Sequence, residues 1–117
     1  LIEELVGRVL ATRNAVHLAH WRTNSYAQHQ ALGSFYEDLT DKIDKIVEMY
    51  QGALDMIDKV SIKEVSPKDI LTHLNTEAEW IEENLEELSG NVKAIENVLQ
   101  DLSGSYYTTI YKLTHLQ

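Results

Sequence analysis

The sequence predicts an all-α fold, four helices packed as one bundle, and three observations carry that prediction. Apolar residues recur at spacings of three and four through four long stretches. No segment shows the strict alternation of a half-buried strand or the paired turn residues of a hairpin, and no internal repeat competes. A chain of 117 residues, 44% hydrophobic and 25% charged with a single proline, suits one compact domain that fills residues 1–117.

The first helix is expected over about 2–22, where Ile2, Leu5, Val6, Val9, Val16 and His20 share a side; it stops before Thr23-Asn24-Ser25. The second is expected over about 26–58 and is the longest, with a heptad stripe of Leu32, Tyr36, Leu39, Ile43, Ile46, Tyr50 and Ala53. Residues 59–66 lack helical periodicity. Ser66-Pro67-Lys68-Asp69 then reads as an N-cap with proline at the first helical position, which starts a third helix over about 67–88 along Leu71, Leu74, Ala78, Ile81, Leu85 and Leu88. The heptad phase continues unbroken to Leu113, and Ser-Gly occurs twice, at Ser89-Gly90 and Ser103-Gly104. A turn at Gly90 gives helices of comparable length, so the fourth is expected over about 92–117, with Gly90 in the left-handed position and Asn91 capping.

Composition excludes several functions. No cysteine is present, which rules out thiolate zinc fingers and iron–sulfur clusters. The formal net charge is −9 and the ten Lys and Arg are scattered, so there is no basic stripe to displace counterions from phosphates and no nucleic-acid partner is expected. Apolar runs are too short for a membrane span and no leader pattern appears; the expected setting is cytoplasmic.

The residues that invite chemistry are on the first two helices. His17-Leu18-Ala19-His20-Trp21 closes the first; His29 opens the second, followed by Asp44 and Glu48. At 100° per residue, His29, Gly33, Glu37, Asp44 and Glu48 lie on one flank of the second helix, away from its core stripe. Asp44 and Glu48 turn outward, so any metal they bind takes its other ligands from a second surface, most simply a two-fold partner. Imidazoles with carboxylates suit a first-row ion, iron first among them. Each residue also has a plainer reading: His20 as a hydrogen-bonded core histidine, Asp44 and Glu48 as a solvated face paired with Lys42 and Lys45, and His17, His73 and His115 as surface or packing residues. Trp21 and Trp80 read as packing anchors.

Taken together, His-x-x-His-Trp, the early His29, and Asp-x-x-x-Glu fifteen residues later resemble the Dps-type mini-ferritins of the ferritin-like superfamily, and the chain as a whole is similar to short ferritin-like proteins of tailed phages. The resemblance implies a ferritin-like four-helix bundle, assembly into a homodimer or larger oligomer, and a ferroxidase centre at the dimer interface. Carried over, it makes His20 and His29 metal ligands from one subunit and Asp44 and Glu48 ligands from the other. The sequence departs from the family at Gly33, where a further carboxylate is usual, and in lacking the family's long crossover, with its own short helix, between the second and third helices. The single-bundle ferritin site needs Glu-x-x-His, which occurs nowhere here. Two functions therefore stand: an iron-binding protein with ferroxidase chemistry, and a non-enzymatic helical bundle that uses the outer face of the second helix for dimerisation or partner binding.

Overall fold

The structure is a computed structural model and describes residues 1–116. It is all-helical: α1 (Ile2–Arg22), α2 (Tyr26–Ala53), α3 (Ile70–Glu83), α4 (Leu85–Ser89) and α5 (Lys93–His115). At 1.5 Å per residue α2 is about 42 Å long, which accounts for the molecule's long dimension of 43 Å. The expected helix end at 117 is corrected to His115; Gln117 lies outside the described residues.

Side-chain contacts give the helix directions. His20 meets His29 across the α1–α2 turn. Phe35, Asp38 and Lys42 meet Tyr106, Ser105 and Asp101 in that order, so α2 and α5 are antiparallel. Arg8 and Thr12 meet Glu77 and His73, so α1 and α3 are antiparallel too. It follows that α2 and α3 run the same way, and that residues 54–69 must return the chain over the full length of α1. They do so as a strap: the Asp58 amide donates to Glu3, the Ser61 carbonyl rests on Gly7, and Ile62 and Val65 lie near Ala11 and Leu18. Gly7 is required here, because a Cβ at that position would collide with the Ser61 carbonyl. The strap carries no helix of its own.

Four boundaries differ from the expectation for identifiable reasons. The second helix ends at Ala53 and not near 58; Leu54 lies over Gly90 while Ile57 and Val60 pack on the core, a three-residue apolar spacing that imitates another helical turn. The third begins at Ile70 and not at 67, because Ser66 accepts from the Lys68 amide to close a local turn and Asp69 takes a left-handed φ of 51°. It is interrupted at Asn84, whose side-chain amide donates to the Trp80 carbonyl at 2.8 Å. The turn falls at Gly90 (φ 57°) as expected, but Asn91 shares the left-handed conformation (φ 64°) and Val92, not Asn91, stands at the N-cap of α5.

The core runs the length of the molecule through Leu5, Val9, Leu32, Leu39, Ile46, Leu74, Ile81, Ile95, Leu99 and Leu102. Tyr106 lies inside it edge-on to Phe35 at 5.1 Å. No described helix is long and apolar enough to cross a membrane.

Candidate functional site at the α1–α2 turn

Thr23 and Ser25 set the turn that brings the histidines together. Ser25 caps α2 by accepting from the Gln28 amide, and the α1 C-terminus closes through the Thr23 amide on the Ala19 carbonyl. The hairpin this makes lays the His20 and His29 rings against each other, centroids 3.7 Å apart and 17° from parallel. Their hydrogen bonds are reciprocal. His20 Nδ1 donates to the His29 carbonyl at 2.6 Å, and His29 Nδ1 donates to the His20 carbonyl at 2.8 Å.

A carbonyl oxygen can only accept, so each Nδ1 carries its proton, and in the neutral ring the lone pair is on Nε2. Neither Nε2 has a partner among the described residues, and neither is sealed from solvent. This is the tautomer and second-side support that metal-bound imidazoles usually have. Gly33 makes the arrangement possible, since a Cβ there would lie 2.9 Å from His20 Cε1. The position where the resembled family carries a carboxylate is filled here by an imidazole ring.

Around this pair stands a second layer of rings. His17 stacks on Tyr36 at 4.0 Å and 14°, Trp21 packs against His17 at 4.2 Å, and the Arg13 guanidinium lies 5.0 Å from the Tyr36 ring centre. Desolvation first, then the charge of Arg13, holds the His17 pKa below its ordinary value. Trp21 is 65% exposed and Tyr26 76%, so Trp21 is corrected from a packing anchor to a surface residue; Trp80 does pack, beneath Arg8 at 4.3 Å.

Asp44 and Glu48 are exposed on α2, as the outward turn of the helix required, and neither is in an ion pair among the described residues. Lys42 does not neutralise them; it binds Asp101 at 2.8 Å and Asp38 at 3.4 Å. Fifteen residues of helix put Asp44 about 22 Å along the axis from His29, so the structure brings His20 to His29 but not to the carboxylates of its own chain. Among the described residues no three histidines or acids of one chain converge as a metal site.

Residues 20–113 match the sequence pattern of the Family of unknown function (DUF5856). The chain belongs to that family. Within it, all four residues singled out above fall in the matched span. The chain is also 40% identical over 50 residues to the "Uncharacterized 14.6 kDa protein in mobD-ri intergenic region" of Enterobacteria phage T4, a match covering 43% of this chain and 39% of that protein. No solved structure matches it.

A line of polar groups that the sequence reading missed crosses the α1–α3 interface. Arg8 donates to Glu77 at 2.7 Å, and the Thr12 hydroxyl is 2.8 Å from His73 Nε2. Burial raises the Glu77 pKa against the opposing pull of Arg8; desolvation first and the Arg8 charge second lower that of His73. The signal was available: Glu77 stands three residues after Leu74 and four before Ile81, a carboxylate in a core-facing register.

Proposed function

We propose that this protein binds a first-row divalent metal, iron foremost, at a site completed between two copies of the chain, with His20 and His29 from one copy and Asp44 and Glu48 from the other. The observation that carries this is the reciprocal Nδ1–carbonyl bonding of the two imidazoles, which fixes both rings with their Nε2 lone pairs unspent. A core histidine needs one satisfied nitrogen and no second imidazole stacked on it. Exposed, unpaired carboxylates on the same flank of α2 supply the anionic donors that two neutral rings lack.

The helix directions support a ferritin-like four-helix bundle, α3 and α4 together forming one of its four rods, because a single long crossover between parallel second and third rods is the connection that fold uses. A phage relative agrees with the expected source class. An antiparallel pairing of two α2 helices about a two-fold axis near Glu37 sets residue 29 of one copy beside residues 44–48 of the other, since those positions are equally far from the axis along the helix. When bound, the metal supplies Lewis acidity and, for iron, oxidation of Fe(II) by oxygen; the chain's part is to hold the ring tautomers and place the acids.

The test is complementation. Calorimetry with Zn(II), or anaerobic Fe(II), on the purified protein should show stoichiometric uptake that His20→Ala and Glu48→Ala each abolish with helicity unchanged. Mixing those two variants and letting subunits exchange should restore about one site in each mixed dimer, because a two-fold pair holding one copy of each has one intact ligand set. Uptake equal in the wild type and in the double variant would sink the site. That result would favour the second reading, a non-enzymatic bundle that docks a partner through the exposed Trp21 and Tyr26.

A further inference from the structure

We propose that a groove between the strap and the α1–α3 pair binds a small phosphomonoester with an apolar or aromatic body, independently of the α1–α2 site. Where the strap leaves α1, a cavity of about 630 Å³ opens, within the size range of ligand pockets. Its floor is apolar: Gly7, Ala11 and Val65. Its walls carry charge from three elements, and the internal pairing decides which sign is left over.

The carboxylates of the groove each hold a donor: Glu3 accepts the Asp58 amide, while Glu4 and Glu77 share Arg8. Lys59 and Lys63, on the strap, line the groove and have no ion-pair partner among the described residues. Arg8 spends Nε on Glu4 and Nη1 on Glu77, which leaves its Nη2 donors. His73 also lines the groove, its Nε2 2.8 Å from the Thr12 hydroxyl.

The groove therefore presents unspent donors and cations above an apolar floor, on a protein whose net charge is −9. Two ammoniums and a guanidinium edge match the several acceptor oxygens of a dianionic phosphate better than the two of a carboxylate.

Titration of metal-free protein with phenyl phosphate at low salt, followed by amide chemical shifts, reads the site directly. Saturable shifts are expected near residues 3–11, 59–65 and 73–77, with weaker binding of benzoate and of inorganic phosphate, which lack the second charge and the apolar body respectively. Lys59→Ala with Lys63→Ala, both exposed and outside the core, should weaken phenyl phosphate by on the order of tenfold or more without altering helicity. The proposal is overturned by no saturable shift up to about 10 mM, by shifts confined to other surfaces, by unchanged affinity in the double variant, or by tighter binding of benzylamine than of phenyl phosphate. Inorganic phosphate binding as tightly as the ester would overturn the assignment of the apolar floor.

Discussion

Replacing Gly33 by alanine sets two opposed effects against each other. In a helix interior the change should stabilise by about 1 kcal/mol, because glycine pays more backbone entropy than alanine. Here the added Cβ would fall 2.9 Å from His20 Cε1 and 3.2 Å from its Nδ1, so the ring has to move. Moving it forfeits the 2.6 Å bond to the His29 carbonyl, worth about 1 kcal/mol net, and the stack on His29, worth about 0.5–1.5 kcal/mol. Loss exceeds gain by about 0.5–1.5 kcal/mol on those figures. Gly104→Ala is the internal control: it lies inside α5 with nothing within 4 Å of the added carbon, so only the favourable effect operates. Urea denaturation should find Gly104→Ala more stable than the wild type and Gly33→Ala less stable. If both shift the midpoint upward by similar amounts, His20 is free to yield, and the claim that its ring is held in place for a ligand fails with it.

Arg8→Ala should cost about 2 kcal/mol at neutral pH, below the usual penalty for stranding a buried charge because Arg8 itself is a third exposed. That deficit should shrink as pH falls towards 4.5, since Glu77 can then be buried as the neutral acid; a pH-independent deficit measured by denaturant midpoint would refute the assignment. His73 works with the opposite sign. Its folded pKa is lowered, so the stability it contributes is present above the unfolded value of about 6.5 and is lost as pH falls below it. Between pH 7.5 and 5.5 the wild type should lose more stability than His73→Gln; because Glu77 acts in the other direction from its raised value down to about 4.5, it is the difference between the two proteins that carries the test.

Helix existence was legible because the apolar spacing that marks a helix is the same property that buries it: the Leu32 to Ile46 stripe of α2 and the Leu74 to Ile81 stripe of α3 are core residues. Boundaries were less legible where another force reproduces the same spacing. Leu54, Ile57 and Val60 follow at three-residue intervals without being helical, the last two packed on the core, and only the Asp58–Glu3 and Ser61–Gly7 contacts, which are long-range, reveal that the chain has turned. For the same reason the strap's path along α1 was hidden. At the candidate site the sequence could place His29, Asp44 and Glu48 on one flank of α2, because that follows from helical periodicity alone. It could not show that His20 reaches His29, which depends on how tightly Thr23-Asn24-Ser25 folds the hairpin, nor that Gly33 is the space the ring occupies.

Gly33 thereby changes the meaning of its own departure from the resembled pattern. Read from sequence, a missing carboxylate subtracts a ligand and weakens a metal site. In the structure the same glycine leaves the space in which His20 stacks on His29, so the lost acid is the condition for the ring pair to hold both Nδ1 protons on backbone carbonyls. A site of two neutral rings with two carboxylates carries one negative charge fewer than a site with a third acid at position 33. It should therefore discriminate less sharply in favour of Fe(III), which gains most from anionic oxygen donors. A Gly33→Glu substitution cannot restore the resembled ligand set, because the longer side chain starts from a Cβ that already meets His20. The expected result is loss of Zn(II) and Fe(II) uptake rather than gain, and calorimetry showing tighter binding in that variant would mean that the carboxylate, and not the histidine pair, is the better ligand in this fold.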